Sequence, residues 1–274
     1  MFNDMFEKLE KNPPLIHNIT NYVTVNDCAN VVLAAGGAPL MADDIEEVEE
    51  IVSISSALYI NVGTLNQRTV ESMIISGKKA NELNIPVILD PVGMGASKLR
   101  IDTVNRLIDE IKISVIKGNM SEIKSIYKNC HNSGGVDVKE EDIISVNNIE
   151  ENVLFAKKVA NKLNCIIAIT GPIDIVSDGN KQYSIHNGHE MMSKVTGTGC
   201  MTGSVIGTYC GANKKSLLDA TILAIATMGL AGELAYKKVE SNNEGTASFK
   251  RYLIDNISLM NGKILKEGAK IENR

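Results

Sequence analysis

The strongest constraint on the fold is a recurring pairing of a short β-branched run with a longer stretch of helical period. Ala57-Leu58-Tyr59-Ile60-Asn61-Val62 reads as a strand stopping at Gly63, and Asn66 to Leu83 follows as a helix with Val70, Met73, Ile74 and Ile75 on one side. Pro86-Val87-Ile88-Leu89 is a second apolar strand, ending in Asp90-Pro91 before a Gly-rich turn and a helix over Ile101 to Ile111. Ile113 to Ile116 repeats the pattern, with Lys117 after the strand end and a helix from about Asn119. A helix over Glu150 to Leu163 leads into the strand Cys165 to Ile169. Strands apolar on both faces and separated by helices predict a mostly parallel sheet covered on both sides by right-handed βαβ units. Ile173 to Ser177 and Gln182 to His186, joined through Asp178-Gly179-Asn180, read as an antiparallel hairpin on that sheet. From Gly199 onward the chain reads as mostly helical, with Lys263 to Arg274 a solvated amphipathic end.

At 274 residues and 44% hydrophobic content the chain has material for a sizeable core. No linker-like shift in composition divides it, so residues 1–274 are expected to form one domain. The net charge of -5 and the 4% aromatic content argue against nucleic acid as a partner, since no Lys/Arg block supplies phosphate neutralisation. A membrane span is not expected either. The uncharged stretch Val195 to Asn213 is interrupted by glycines and hydroxyls, and Ala220 to Gly232 is short and bounded by Asp219 and Glu233. The N-terminus mixes both charges without an apolar core, so no secretory signal is readable. Five cysteines without a CxxC pair fit reduced thiols, and hence a cytoplasmic protein.

Ligands of such sheets bind at the carboxyl ends of the strands, where the sequence places Gly63-Thr64, Asp90-Pro91-Val92-Gly93, Lys117-Gly118-Asn119 and Thr170-Gly171-Pro172. A glycine-rich turn, Val195-Thr196-Gly197-Thr198-Gly199-Cys200, opens a helix. Unpaired N–H groups at the positive end of a helix dipole suit phosphate or a developing oxyanion. Gly203, Gly207 and Gly211 follow at i, i+4 and i+8, a stripe that lets the helix approach the sheet. The same glycines also suit a tight turn with close packing and nothing more. Each polar candidate has a structural alternative too: Lys117 as a solvated lysine, Glu122 as a first-turn acid complementing the dipole, Asp90 as a turn-forming Asp-Pro step, Thr170 as the start of a turn.

The sequence resembles the hydroxyethylthiazole kinase family of the ribokinase-like superfamily. The resemblance runs in order through Leu15 to Asn21, Gly37-Ala38-Pro39-Leu40-Met41-Ala42, Asn61 to Leu65, Asp90 to Gly93, Lys117-Gly118-Asn119-Met120-Ser121-Glu122, Ala168 to Gly171, His186-Asn187-Gly188-His189 and Gly197 to Cys200. It implies a ribokinase-like three-layer α/β/α sandwich, a homotrimer with sites near subunit interfaces, and transfer of the ATP γ-phosphate to the primary hydroxyl of 4-methyl-5-(2-hydroxyethyl)thiazole with Mg²⁺, a step of thiamine salvage. By the same resemblance Lys117, Thr170 and Asn119 bind ATP, Lys117 standing where the family often has Arg. Asp90 and Glu122 are associated with the metal, and Met41, Gly197, Asn18 and His17 face the thiazole, with Asn21 in the same region. Gly197, Thr198, Gly199 and Cys200 are catalytic. Most superfamily members carry Asp at the position of Cys200, and a thiol is an awkward general base. In a loose transition state, proton removal comes late. The backbone of Gly197 to Gly199 is therefore expected to matter more than Cys200. His186, His189 and the pair Cys130-His131 lack a third spaced ligand and do not predict zinc. Asn129 to Glu141, with Gly134-Gly135-Val136-Asp137, falls in a region variable in the family, and the acidic run Asp43 to Glu50 reads as an exposed face.

Rival readings are a related ATP-using enzyme, either a hydroxymethylpyrimidine kinase or a dehydratase that repairs hydrated nicotinamide cofactors, and a non-catalytic thiazole or nucleotide sensor. Cys200 and the Pro-Leu-Met-Ala segment argue against the first group. The joint presence of Asp90, Lys117, Glu122 and the glycine loop argues against the second.

Overall fold

A computed structural model describes residues 2–129, 144–145 and 148–274. Cys130-His131, Gly134 to Asp137 and most of Asn129 to Glu141 lie outside the described residues. The chain begins with α1 (Phe2–Lys11), β1 (Leu15–Ile19), α2 (Val25–Ala34), β2 (Ala38–Met41), α3 (Val48–Ser53), β3 (Ala57–Asn61) and α4 (Gln67–Glu82). It continues through β4 (Val87–Asp90), α5 (Lys98–Glu110), β5 (Val115–Asn119), α6 (Met120–Asn129), α7 (Ile149–Leu163) and β6 (Ile166–Thr170). The last part holds β7 (Asp174–Ser177), β8 (Gln182–Ile185), a short 3₁₀ turn (Glu190–Lys194), α8 (Thr198–Ala212), α9 (Leu217–Asn242), α10 (Thr246–Ser258), α11 (Gly262–Gly268) and β9 (Ile271–Asn273).

The strands form one nine-stranded sheet in the order β2-β1-β3-β4-β5-β6-β7-β8-β9. The first six are parallel, and the last three pairings are antiparallel. Alternate side chains of a strand point to opposite faces, and the central strands obey this to the residue. Ala57, Tyr59, Ile88, Val115 and Ala168 join one core with α1, α2, α8, α9 and α10. Leu58, Ile60, Leu89, Ile116 and Ile167 join the other with α4 to α7. That is the expected three-layer α/β/α arrangement.

Several boundaries differ from the sequence expectation. Strand β5 runs on through Lys117, Gly118 and Asn119, so Lys117 stands inside a strand rather than after it. Helix α5 starts at Lys98, because the Ser97 hydroxyl accepts the Arg100 N–H and caps the helix there. The tail is not a solvated end: Leu265 is buried, and β9 extends the sheet along β8. Only three alternating residues carry that strand, too few to stand out from a polar terminus. The 26-residue α9 is long and apolar enough to cross a membrane by composition, yet most of it lies inside the core. The acidic run matches its expectation in part. Glu46, Glu47, Glu49 and Glu50 are exposed while Val48 turns inward, but the helix has only six residues.

Helix α8 lies directly on the sheet. A Cβ added at Gly203 would come 2.4 Å from Cε2 and 2.7 Å from Oη of Tyr59, and one at Gly211 would meet Ile16 and Pro14 at 3.1 and 3.2 Å. This contact fixes the depth of the α8 N-terminus relative to β3 and β4. Replacing Gly203 with Ala should therefore destabilise the fold by about 1–3 kcal/mol, the usual cost of overpacking. Gly245→Ala, where an added Cβ meets nothing within 4 Å, should change stability by less than about 0.5 kcal/mol. Denaturant unfolding of the two variants tests the difference.

Candidate active site

The carboxyl ends of β1, β3, β4, β5 and β6 and the N-terminus of α8 surround a cavity of about 380 Å³. Asn21, Val23 and Thr24 contribute from the β1–α2 connection, Gly63 and Thr64 from beyond β3, and Asp90 and Val92 from the end of β4. Lys117 and Asn119 come from β5, Glu122 from α6, Thr170 from β6, and Thr196, Gly197, Gly199 and Cys200 from the turn into α8.

At its floor lies a buried ion pair. Lys117 Nζ donates to both Asp90 oxygens at 3.3 and 3.2 Å, and the Asp90 side chain is fully buried. Tyr59 Oη donates to Asp90 Oδ2 at 2.9 Å and Asn61 Nδ2 reaches the same oxygen at 3.2 Å. Burial pushes the Asp90 carboxyl above its ordinary range, against the pull of Lys117. Burial alone would lower the Lys117 ammonium, but the negative charges of Asp90 and Glu122 outweigh it and hold the group above its ordinary value, so it stays a cation. The ammonium lies against the glycine turn, where a Cβ at Gly199 would be 3.3 Å from Nζ.

Gly197 has φ +91°, and a Cβ there would press on Thr24 Cγ2 at 2.7 Å, so both conformation and space demand glycine. Met201 is the first residue of α8 whose N–H bonds back, to Gly197 O at 2.8 Å. The N–H groups of Thr198, Gly199 and Cys200 precede the first intrahelical donor, Met201, and form a positive helix end. Cys200 Sγ accepts from Asn21 Nδ2 and Asn61 Nδ2, each at 3.3 Å. Both amides are fixed in orientation, because the Thr24 N–H donates to Asn21 Oδ1 and the Gly63 N–H to Asn61 Oδ1. Burial pushes Cys28 up to about 11 and Cys210 up to about 12, which keeps them neutral thiols. Cys200 is the cysteine that lines the cavity.

Glu122 both caps a helix and faces the cavity. It closes a reciprocal cap on α6, its Oε2 accepting the Asn119 N–H at 2.8 Å while Asn119 Oδ1 accepts the Glu122 N–H at 2.9 Å. Its Oε1 accepts the Gly93 N–H at 2.8 Å, and the side chain still lines the cavity. Behind Thr170, Asp174 accepts the Gly171 N–H at 2.9 Å, and burial raises its carboxyl to about 7.

The structure brings together Asp90, Lys117, Asn119, Glu122, Thr170, Gly197, Gly199 and Cys200. Four expected site residues do not line this cavity. Thr198 turns its hydroxyl to Met192 O at 3.1 Å. Asn18 is buried under α8, accepting from Ser204. His17 Nε2 bonds Ala42 O at 2.8 Å, and Met41 is half-buried on the edge strand β2. His186 bonds Ser184, and His189 stacks on Tyr236. No cluster of three metal-ligating side chains occurs among the described residues. Tyr59, Asn61 and Arg100 support the site, yet in the sequence they look like an apolar-strand residue, a strand end and part of the turn before a helix.

These features define a ribokinase-like small-molecule kinase. The fold is shared with the ADP complex of Bacillus subtilis pyridoxal kinase, at a TM-score of 0.59 and 14% identity over 81% of this chain and 92% of that one. The family itself is more specific. A model of the hydroxyethylthiazole kinase family matches residues 6–262, and the chain belongs to that family. It is 51% identical over 267 residues to the hydroxyethylthiazole kinase of Ruminiclostridium cellulolyticum, covering 97% of this chain and 95% of the relative. It is 52% identical over 268 residues to that of Clostridium beijerinckii, covering 98% and 95%. The solved structure of the Pyrococcus horikoshii hydroxyethylthiazole kinase protein superposes with a TM-score of 0.87 at 34% identity, covering 100% of this chain and 98% of that one.

His17 provides a pH test of the polar interior beneath this site. Burial holds its imidazole down to about 4, against 6.5 when solvated. Between those values the unfolded chain takes up a proton that the folded chain refuses. The stability associated with neutral His17 is therefore complete above pH 6.5 and is lost as pH falls toward 4, by up to about 3 kcal/mol. Denaturant unfolding at pH 7.5, 6 and 5 should show the parent losing more stability than His17→Gln, and Asp174 cancels in the comparison because both proteins contain it.

Proposed function

We propose that this protein transfers the γ-phosphate of ATP to the primary hydroxyl of 4-methyl-5-(2-hydroxyethyl)thiazole, giving the phosphate ester used in thiamine biosynthesis. The observation that carries this reading is the Lys117 ammonium, held by buried Asp90 and set against Gly199 at the open N-terminus of α8. Phosphoryl transfer asks a protein mainly for positioning and for neutralisation of spread negative charge. Lys117 supplies a point charge where a guanidinium would supply a fork. The N–H groups of the Gly197–Cys200 turn supply fixed donors, and Thr170 closes the side of the cavity beyond β6.

The donor set fits Mg²⁺ delivered with the nucleotide. Magnesium is commonly held by one or two carboxylates, with water and substrate phosphate completing its shell, and Asp90 and Glu122 offer two carboxylates without a third ligand. Bound there, the ion would offset the negative charge of the phosphates. Cys200 faces the cavity as a sulfur already accepting two N–H bonds, in reach of an acceptor hydroxyl bound at the turn. We take it as a minor contributor beside the Gly197 to Gly199 backbone. Met41 lies on the edge strand and does not line the cavity of its own chain. That fits the homotrimer the family resemblance implies, where a neighbouring copy completes the thiazole site. The chain is further read as a single domain acting in the cytoplasm.

ADP release from Mg²⁺-ATP should require hydroxyethylthiazole, with hydroxymethylpyrimidine and pyridoxal poor substitutes, and should cease on chelation of the metal. Cys200→Ala should keep measurable turnover, with kcat reduced less than about 100-fold, the lower end of general acid–base contributions. Gly197→Ala should lose more than that. Loss of all turnover in Cys200→Ala with both substrates still bound would instead make the thiol the base.

A further inference from the structure

The loops that frame the cavity are held by a side chain that does not line it. Arg100 stands in the first turn of α5, with its backbone N–H on the Ser97 hydroxyl. Its Nη1 donates to Val62 O at 2.6 Å and to Val92 O at 2.5 Å, and its Nη2 donates to Gly63 O at 2.7 Å. One guanidinium thus ties the connection after β3 to the connection after β4. No carboxylate among the described residues pairs with it, and three backbone carbonyls accept its N–H groups instead.

The same two connections bear on the site. Gly63 and Val92 line the cavity. The Gly63 N–H is taken by Asn61 Oδ1, and the Gly93 N–H by Glu122 Oε1. Gly93 has φ +71°, and a Cβ there would lie 3.3 Å from Arg100 Nη1 and 3.4 Å from Cδ and Cζ. The guanidinium therefore rests on Gly93, in the conformation that directs its N–H at Glu122. Carbonyl oxygens carry partial negative charge. A site for a polyphosphate works best when nearby carbonyls face elsewhere and nearby N–H groups are fixed.

Resting on the kinase reading, we propose that Arg100 is a positioning residue of the nucleotide site: it draws the Val62, Gly63 and Val92 carbonyls onto one guanidinium and so holds Glu122 and the cavity rim in their phosphate-binding arrangement. A lysine keeps the charge but lacks the planar fork that reaches three carbonyls.

The test compares the full-length parent with Arg100→Lys, Arg100→Met and Arg100→Ala, measuring Mg²⁺-ADP binding, KM for ATP, KM for the thiazole and the melting temperature. Arg100→Met and Arg100→Ala should weaken ADP binding and raise KM for ATP by on the order of 10- to 100-fold, the scale of a small misplacement of binding groups. Arg100→Lys should fall between them and the parent, and it provides the test if the others fail to fold. KM for the thiazole should change less than threefold, and millimolar guanidinium should restore ADP binding to Arg100→Ala. ADP binding unchanged in all folded variants, or both KM values rising together with the loss of melting temperature and no guanidinium rescue, would overturn the proposal. A parent that neither binds Mg²⁺-ADP nor releases ADP would remove the kinase reading and this proposal together.

Discussion

The Lys117–Asp90 pair is the constraint around which the site is organised. Taking both charges out of water is costly, and such a pair persists only when geometry and extra hydrogen bonds satisfy what remains. Here Tyr59 and Asn61 supply those bonds, and both stand on β3, next to the β4 strand that carries Asp90. Tyr59 can reach Asp90 because α8 leaves it room: the ring lies beneath Gly203, and its hydroxyl also bonds Cys200 O at 3.0 Å. The glycine stripe, the tyrosine, the ion pair and the turn at Gly197 are thus one continuous packing arrangement. Losing one charge would leave the other buried alone, at about 3–5 kcal/mol. On the proposed kinase reading, the arrangement gives a chain of net charge -5 a local positive field for a polyphosphate, from one enclosed ammonium and one helix end.

Much of the fold was legible because the central strands are wholly apolar and evenly spaced by helices. β3, β4 and β6 could be read that way, and the stripe in α8 could be read from its spacing alone. β1 and β2 were not visible as strands. Leu15-Ile16-His17-Asn18-Ile19 places two polar residues in the interior, where His17 Nε2 bonds Ala42 O while its buried Nδ1 has no partner among the described residues, and Asn18 bonds Ile16 O and Ser204. β2 contains Pro39, tolerated because it is an edge strand. These are tertiary solutions that no local pattern announces.

The site shows the same division. Residues with chemistry of their own, such as Asp90, Lys117 and Glu122, stood out at strand ends or through motif resemblance, and they converge on the cavity. Residues that act by holding others did not. Asn61 takes on meaning only when its amide is seen between Asp90, Cys200 and Gly63, and Arg100 only when its carbonyl partners are known. Lys117 was expected just after a strand end, whereas it lies inside β5, where the strand forces the side chain down onto Asp90. Glu122 caps α6 and lines the cavity at once, so the capping hydrogen bonds do not withdraw it from the site.

The most direct measurement is a crystal structure with Mg²⁺-ADP and hydroxyethylthiazole bound. The terminal phosphate of ADP should lie within hydrogen-bond reach of Lys117 Nζ and the N–H groups of Thr198 to Cys200, with Asp90 still paired to Lys117. A nucleotide whose phosphates bind away from Lys117, or a Lys117–Asp90 pair that separates so that the lysine leaves the cavity, would contradict it.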